Sequence, residues 1–321
     1  MTTTQADSQS NHWSDYWSRG CLTSLPQDFA SNYDGEVAVF WQAVFHSLQV
    51  SGRMLDVCTG NGAIALLAAE FCLKRESDIE IVAVDAASIS TAVIAQKFPE
   101  QAELLQRITF ISDTRIEDLA LPTASFDLVT SQYGIEYCDW DQAATQVYRL
   151  LKPGGQLVMV NHTASSDIMR FMEQEHQEYS MLEKSGFFSV IGGYLLQEVD
   201  YNTFRATLEM LHANLTKVLE RGGGPPLFQS VHGMLSGVLA LDQLSLDERR
   251  THLESYYIQA RHGFDRLADM LRVNHAIASN PEWFKVFESA GLQMVDSGEI
   301  RYQQKHHAGG FLKFIKPDQE K

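Results

Sequence analysis

The sequence predicts an α/β fold in which a mostly parallel sheet of seven strands is covered by helices on both faces. Two observations support this prediction. Strand-like and helix-like segments alternate from Arg53 onward, and two strand-like segments near the end of the sequence are placed to pair as an antiparallel hairpin. Between these regions lies a long stretch of helical periodicity, which predicts a helical insertion within the α/β fold.

Short apolar runs bounded by turn residues predict five strands in the first half of the sequence, at 53–58, 80–84, 107–111, 126–130 and 156–160. Helical spacing of apolar residues predicts the intervening helices, at 63–73, 88–97 and 141–151. Because strands that alternate with helices form βαβ units, we expect these strands to be parallel, with right-handed crossovers. Pro153, Gly154 and Gly155 predict a turn into the fifth strand.

Composition and charge restrict the class of protein. Apolar residues make up 45% of the 321 residues, enough for a buried core, and the formal net charge is −16. Because negative charge repels phosphate backbones, a nucleic acid is an unlikely partner. The four cysteines form no CxxC pair, and neither a signal-peptide pattern nor a membrane-spanning apolar stretch is present in the sequence. We therefore predict a cytoplasmic protein with reduced thiols and no metal site.

A glycine turn follows the first predicted strand, within Leu55-Asp56-Val57-Cys58-Thr59-Gly60-Asn61-Gly62. Glycines here let the backbone approach a ligand closely, and the amides at the start of the following helix favour an anionic group. The alternative interpretation is a tight turn without a ligand. A turn of this kind alone does not distinguish between cofactors, because NAD enzymes also contain one.

Acidic residues end the next two predicted strands. Asp85 follows the second strand, at the place where a carboxylate can bind the two hydroxyls of a ribose. Asp113 follows the third strand within Ser112-Asp113-Thr114, where it could accept a hydrogen bond from an adenine amino group. A helix N-cap is an equal alternative for Asp113.

At this point the sequence resembles a known family. The motifs LDVCTGNGAIAL, VAVD, ISD, FDLVTSQYGIEY and LLKPGGQLVMV occur in the order found in class I S-adenosylmethionine-dependent methyltransferases. The resemblance covers 53–161 and returns at 283–315, and it implies a Rossmann-like sheet with S-adenosylmethionine as cofactor and S-adenosylhomocysteine as product. NAD enzymes match less well, since their turn is normally GxGxxG.

The resemblance implies a role for each matching position. After the first strand, the residues that would hold the methionine part of the cofactor are Asp56, Cys58, Gly60, Asn61 and Gly62. After the second and third strands, the ribose would be held by Asp85, and the adenine would lie beside Ala86, Asp113 and Thr114. At the end of the fourth strand, the residues near the methyl group would be Ser131, Gln132 and Tyr133. Cys58 departs from the pattern, because many members have glycine there.

We predict four regions along the chain: a tail with an aromatic lid segment, a cofactor-binding core, a helical insertion for substrate or dimer contacts, and a return to the core. They span 1–50, 51–163, 164–279 and 280–321. The first ten residues are expected to be disordered. Asn280 and Pro281 predict the start of a helix that runs through Ala290, and the hairpin at 292–302 and 307–315 follows.

The lid segment is rich in aromatic residues. Tyr16, Trp17 and Tyr33 are placed to contact the cofactor, because related enzymes often carry a leading helix over it. Ordinary packing on the sheet is the alternative, and for any single residue of this set it is the favoured one. A homodimer through the insertion is also open.

Candidate catalytic residues follow the fourth and fifth strands, namely Tyr133, Glu136 and His162. His162 could remove a proton from an oxygen or nitrogen nucleophile, or simply bind a loop. The Asn/Asp-Pro-Pro-Tyr motif of enzymes that methylate bases is replaced by Ser131-Gln132-Tyr133-Gly134. We therefore predict direct methyl transfer to oxygen, nitrogen or carbon of a small-molecule acceptor. The alternatives are a protein acceptor and an inactive cofactor-binding scaffold.

Overall fold

A computed structural model describes residues 5–24, 29, 31–48, 51–163, 167–222, 224–240, 246–303 and 306–318. The chain divides into two compact units. The first comprises 1–167 and 272–321, and the second comprises 168–271. This second unit lies within the predicted insertion at 164–279. The roles predicted for the four regions stay predictions.

Within the described residues, seven strands form one sheet of the first unit. They are β1 (Ser51–Val57), β2 (Asp78–Val84), β3 (Ile108–Ile111), β4 (Phe126–Gln132), β5 (Leu151–Asn161), β6 (Gln293–Tyr302) and β7 (His306–Ile315). Their order is β3-β2-β1-β4-β5-β7-β6, with β1 to β5 parallel and β7 antiparallel to both neighbours. The predicted fold class is therefore confirmed, including the final antiparallel hairpin.

The helices follow the alternation expected from the sequence. They are α1 (Gln5–Ser18), α2 (Gly35–Phe45), α3 (Ala63–Arg75), α4 (Thr91–Lys97), α5 (Ala102–Leu105), α6 (Trp140–Leu150), α7 (Asp167–Lys184), α8 (Phe187–Leu195), α9 (Tyr201–Glu220), α10 (Pro226–Ala240), α11 (Leu246–Ser279) and α12 (Lys285–Ser289). Among the helices of the described residues, none combines the length and apolar composition that a membrane span requires.

The central strands β1, β2, β4 and β5 bury both of their faces, because successive side chains point to opposite sides of the sheet, whereas β6 is mostly exposed. On β2, Ile81 and Ala83 pack in one core with α2 and α3, whereas Val82 and Val84 pack in a second core with α6 and α12. Both cores contain residues that are fully buried, such as Trp41 of α2 in the first. Because both faces of these central strands are buried, their sequences are almost continuous apolar runs.

The start of β5 is the largest departure from the strand bounds that the sequence predicts. β5 starts at Leu151, and Pro153 to Gly155, expected as a turn before the strand, form an irregularity within it. The backbone of this segment pairs with Lys316: the Gly154 N–H donates to the Lys316 carbonyl at 2.8 Å, and the Lys316 N–H donates to the Gly155 carbonyl at 2.8 Å. These long-range bonds extend the strand beyond the local turn signal.

Two helix predictions are corrected. α1 begins at Gln5, so residues 5–10, expected in a disordered tail, are helical. The helix expected from Asn280 begins only at Lys285, and a turn in which the Trp283 N–H donates to the Asn280 carbonyl at 3.0 Å precedes it. Trp283 is almost fully buried, and its ring lies 5.3 Å from that of Trp140.

The second unit is helical and has a core of its own. Aromatic rings of three of its helices meet there: the Phe188 ring lies 6.2 Å from the Phe264 ring, and the Tyr179 ring lies 5.3 Å from it. Asp200 caps α9, since its carboxylate accepts hydrogen bonds from the Asn202 and Thr203 amides at 2.9 and 3.1 Å. This unit therefore has the internal packing of a folded body.

We expect Phe314→Ala to lower the free energy of unfolding by about 3–5 kcal/mol, because it opens a cavity at a fully buried position of β7. Urea denaturation followed by circular dichroism measures the change. Val295→Ala on β6 is the matched control, since Val295 is 57% exposed, and its effect should stay within about 0.5 kcal/mol. Equal effects of the two substitutions would contradict a core role for β7.

Candidate functional site

The carboxyl ends of the parallel strands meet at one edge of the sheet, where α/β proteins bind ligands. The turns after β1, β2 and β4 and the end of β5 lie at this edge. Hydrogen bonds connect them: the Thr59 N–H donates to the Val84 carbonyl at 3.0 Å, and the Tyr133 N–H donates to the Val160 carbonyl at 2.8 Å. The residues singled out in the sequence are therefore brought together in one region.

The turn between β1 and α3 requires its glycines. Gly60 and Gly62 have φ of 53° and 83°, a left-handed conformation that glycine adopts without strain. A Cβ on Gly60 would lie 2.5 Å from the Trp17 ring, and a Cβ on Gly62 would lie 2.8 Å from the Phe110 ring. Side chains of α1 and β3 therefore pack directly against the backbone of this turn, one on each side.

Cys58 also adopts a left-handed conformation, with φ of 54°. This explains why glycine is the common residue at this position of the family that the sequence resembles. The Cys58 side chain is half-buried beside the segment after β4: a Cβ on Gly134 would collide with the Cys58 Cβ, and the Cys58 and Cys138 sulfur atoms are 3.5 Å apart. The thiol therefore faces the neighbouring loop.

The Asp56 carboxylate is buried between β1 and β4. Its two oxygens accept hydrogen bonds from the Thr59 hydroxyl at 2.5 Å and from the Thr130 hydroxyl at 2.7 Å. Burial raises the pKa of Asp56 to about 6, and the two hydroxyl hydrogen bonds counteract part of this effect. In the structure this carboxylate holds the start of the glycine turn against β4.

Asp85 ends β2 and faces the glycine turn. Its Oδ2 accepts a hydrogen bond from the Gly60 N–H at 2.7 Å, and its Oδ1 accepts one from the Ala87 N–H at 2.8 Å. Burial raises the pKa of Asp85 to about 6, so the group is still mostly ionised at pH 7. An ionised carboxylate has about four lone-pair positions, and two are left for a ligand.

The segments after β2 and β3 lie side by side. The Asp113 N–H donates to the Ala87 carbonyl at 3.2 Å, and the Thr114 N–H donates to the Asp85 carbonyl at 2.9 Å. Ala86 and Asp113 are exposed, and the Asp113 carboxylate accepts a hydrogen bond from the Ser88 hydroxyl. The structure thus gives Asp113 a partner in the loop after β2 in place of the N-cap alternative.

The Asn61 side chain binds the end of α1, and its predicted role toward the cofactor stays a prediction. This side chain is fully buried, and its amide nitrogen donates to the Trp17 and Cys21 carbonyls at 2.9 and 2.7 Å. Asn61 therefore fastens the end of α1 to the glycine turn. This contact brings the Trp17 ring against Gly60, and no local sequence signal predicts it.

Tyr16 and Tyr33, the other two aromatic residues predicted to contact the cofactor, are buried. The Tyr16 hydroxyl donates to the Thr23 carbonyl at 2.7 Å, which is the packing alternative for this residue. Tyr33 is 5% exposed, and burial raises its pKa to about 12. Its ring centroid lies 6.4 Å from that of Tyr133. Of the three residues, Trp17 is the one that contacts the glycine turn.

The residues that end β4 are held by specific hydrogen bonds. The Ser131 hydroxyl accepts from the Ile135 N–H at 3.0 Å, and the Gln132 side-chain oxygen accepts from the Trp41 indole N–H. Tyr133 adopts φ of 52°, and its hydroxyl donates to the Ala308 carbonyl at the start of β7. A left-handed tyrosine is strained, and such strain is concentrated at functional sites.

Glu136 and His162 form the sharpest chemical arrangement of the site. Glu136 is 2% exposed, and its Oε1 lies 2.8 Å from His162 Nδ1 and accepts the His162 backbone N–H at 3.1 Å. Because Glu136 Oε1 already accepts the His162 backbone N–H, we treat it as the acceptor of the ring N–H as well and assign the ring proton to Nδ1. The lone pair of His162 Nε2 is then available as a base, as in other histidines that a carboxylate orients.

Aromatic rings surround His162. The Tyr133 and Tyr137 ring centroids lie 4.8 and 6.2 Å from that of the imidazole, and Trp13 of α1 meets Tyr137 edge-on at 5.8 Å. Sequence reasoning missed Trp13, although its spacing of four residues from Trp17 places both on one helix face. These rings create an apolar surface beside the base.

Among the described residues, no group of three or more histidine, cysteine and acidic side chains is arranged to hold a metal ion. The candidate site is therefore made of carboxylates, one imidazole, backbone amides and aromatic rings.

Comparison with known proteins adds family information. Residues 55–159 match a family model described as a methyltransferase domain. The chain is 28% identical over 170 residues to the ubiquinone/menaquinone biosynthesis C-methyltransferase UbiE of Geotalea daltonii, covering 49% of this chain and 68% of the relative. It is 32% identical over 115 residues to the malonyl-[acyl-carrier protein] O-methyltransferase of Enterobacter lignolyticus, covering 36% of this chain and 40% of the relative.

Among solved structures, phosphoethanolamine N-methyltransferase 2 of Haemonchus contortus is 17% identical, with a TM-score of 0.43. The alignment covers 99% of this chain and 61% of that structure. The curated relatives are matched over about two thirds and two fifths of their lengths, at 68% and 40%.

We expect stability to fall as the pH rises, because burial raises the pKa of Asp85 to about 6. A raised pKa means that the folded protein binds the proton more tightly than the unfolded chain, so its stabilising contribution is full below about pH 4 and is lost as the pH rises through 6. The unfolding free energy of the parent should therefore be higher at pH 5 than at pH 7. In Asp85→Asn this difference between the two pH values should be smaller by about 1 kcal/mol. Urea denaturation at both pH values measures it.

The control is Asp78→Asn, which changes an exposed carboxylate at the start of β2 and should leave the pH dependence unchanged. An unaltered pH dependence in Asp85→Asn would show that this carboxylate does not titrate near pH 6 in the folded protein.

Proposed function

We propose that residues 55–159, which match a family model described as a methyltransferase domain, bind S-adenosylmethionine as class I methyltransferases do, and that the chain is an enzyme that methylates a small organic acceptor. The acceptor would be a planar molecule with an acidic hydroxyl group, such as a phenol, an enol or a hydroquinone. The observation that carries this proposal is the hydrogen bond between buried Glu136 and His162, with a ring nitrogen left free as a base.

The site residues have the chemistry that the cofactor needs. Asp85 keeps lone pairs free for the two ribose hydroxyls, beyond the hydrogen bonds from Gly60 and Ala87. Gly60 and Gly62 carry no side chains, so other groups approach the backbone of the glycine turn closely, as the Trp17 and Phe110 rings do. Asp113 and Ala86 are exposed beside Asp85, where the adenine would lie. When bound, the sulfonium supplies a methyl group that is already activated for displacement.

The role we propose for His162 is removal of a proton from the acceptor. Its Nε2 accepts the hydroxyl proton, while Glu136 holds the ring through Nδ1 and stabilises the resulting imidazolium. A phenolate carries negative charge on oxygen and on adjacent ring carbons, so one base prepares the acceptor for O- or C-methylation. The remaining contribution of the protein is orientation of the acceptor against the methyl group.

The surroundings of the base favour a small aromatic acceptor. Tyr133, Tyr137 and Trp13 offer ring faces and edges, and aromatic pairs of this kind stabilise a planar ligand. The net charge of −16 disfavours nucleic acid. The printed names of the curated relatives include a quinone C-methyltransferase and an acyl-carrier-protein O-methyltransferase, which is consistent with acidic acceptors of low molecular mass or on carriers.

Calorimetric titration of the purified chain with S-adenosylmethionine, S-adenosylhomocysteine and NAD is the first experiment. We expect both adenosyl compounds to bind with micromolar affinity and NAD to give no heat. The protein is then incubated with labelled S-adenosylmethionine and a panel of phenols and hydroquinones, with a lysate protein fraction in parallel. Label in the protein fraction alone would overturn the small-molecule acceptor, and cofactor binding without any transfer would support the scaffold alternative.

We expect Asp85→Ala to weaken S-adenosylhomocysteine binding by about 1.5–3 kcal/mol, because hydrogen bonds between the ribose hydroxyls and a charged group are lost. Calorimetry measures the dissociation constant. Asp78→Ala, at the opposite end of β2, is the matched control and should bind as the parent does. Unchanged affinity in Asp85→Ala would remove the ribose assignment.

We expect His162→Ala to lower turnover of a phenolic acceptor by about 10²–10⁴-fold at pH 7, with cofactor affinity unchanged. The deficit should shrink as the pH approaches the acceptor's own pKa, because the acceptor then ionises without help. Glu136→Gln should lower turnover less and displace the pH profile, as expected for a positioning residue. His46→Ala, an exposed histidine on another face, is the control. A deficit that does not depend on pH would contradict the base role.

A further inference from the structure

Two cysteines meet at the turn after β1. The sulfur atoms of Cys58 and Cys138 are 3.5 Å apart, although the residues are 80 positions apart in the sequence. Both side chains are half-buried, so a small polar reagent has access to the pair. The structure describes both remaining cysteines as well, and Cys21 and Cys72 are free thiols outside this pair.

We propose that Cys58 and Cys138 are a reversible modification site, a dithiol that hydroperoxides oxidise to a disulfide. A disulfide has a sulfur–sulfur distance of about 2 Å, so the two sulfur atoms need to approach by about 1.5 Å. Cys58 follows the end of β1, and Cys138 lies in the short connection before α6, so neither residue is inside a helix or a strand, and loops tolerate a shift of this size.

The oxidation is balanced in two steps. One thiolate attacks an oxygen of hydrogen peroxide, the O–O bond breaks, and a sulfenic acid and one water are formed. The second thiol then attacks the sulfenic sulfur, the S–S bond forms, and a second water leaves. Two electrons pass from the sulfur atoms to the peroxide, and a dithiol reductant reverses the change by thiol–disulfide exchange.

The hydrogen bond with Cys138 and burial raise the pKa of the Cys58 thiol above its usual value. Because the thiolate is the reactive species, Cys58 reacts with peroxide more slowly than a thiol of ordinary pKa does.

Disulfide formation affects the cofactor turn, a consequence that rests on the proposed function. Cys58 lies two residues before Gly60, whose N–H is bound to Asp85. The turn already touches the segment after β4, since a Cβ on Gly134 would collide with the Cys58 Cβ. We expect a crosslink to displace the Cys58 backbone, and the adjacent glycine turn with it. We expect weaker binding of the cofactor in the oxidised protein.

Thiol titration and peptide mapping test the modification site without any cofactor. Treatment of the full chain with stoichiometric hydrogen peroxide should lower the titratable thiols under denaturing conditions from four to two, with a crosslinked peptide pair containing Cys58 and Cys138. Cys72→Ser is the matched control, and it should still form the disulfide. In Cys138→Ser the crosslink should be absent. A disulfide that contains Cys21 or Cys72, or four unchanged thiols, would overturn the proposal.

Calorimetry then tests the consequence. S-adenosylhomocysteine affinity should fall at least tenfold after oxidation and return after treatment with dithiothreitol. Cys138→Ser should bind as the parent does, before and after peroxide. A disulfide with unchanged affinity would overturn the effect on the cofactor turn. If the reduced parent does not bind the adenosyl compound at all, the proposed function fails, whereas the mapped disulfide still decides the modification site.

Discussion

The site depends on one buried carboxylate. Asp56 accepts hydroxyl hydrogen bonds from Thr59 and Thr130, and so it ties the start of the glycine turn to the neighbouring strand β4. Without this carboxylate, two buried hydroxyls would lose their acceptor in a region of low dielectric. The Gly60 N–H of this glycine turn donates to Asp85, and Tyr133 and Glu136 follow the end of β4. Asp56 therefore adds a side-chain connection to the backbone pairing of β1 and β4, and both sides of the site start from this connection.

Much of the fold follows from local patterns in the sequence. Two-sided apolar runs between helices define β1 to β5, and turn residues separate them, as the buried alternation of Ile81, Val82, Ala83 and Val84 illustrates. The start of β5 does not follow from such patterns, because its extension relies on backbone bonds with Lys316, a residue far along the chain. Local signals define elements well, and their ends are decided by distant partners.

The same distinction applies to the candidate site. The glycine turn and Asp85 are recognisable because their spacing along the chain is short and repeats a known arrangement. The environment of Asn61, the approach of Trp17 to Gly60 and the contact between Cys58 and Cys138 depend on the tertiary structure. In the sequence, Glu136 and His162 can each be recognised as polar residues that follow a predicted strand. Their mutual hydrogen bond, which fixes the free ring nitrogen, needs the pairing of β4 with β5.

The position of β7 between β5 and β6 has a consequence for synthesis on the ribosome. β5 has no partner on that side until β7 has emerged, and the whole helical unit and β6 are translated in between. During this interval the nascent chain exposes an unpaired, apolar strand edge, which is a template for aggregation. The helical unit is translated while the sheet is still incomplete, so the strand edge of β5 stays open until the last segment of the sheet is made.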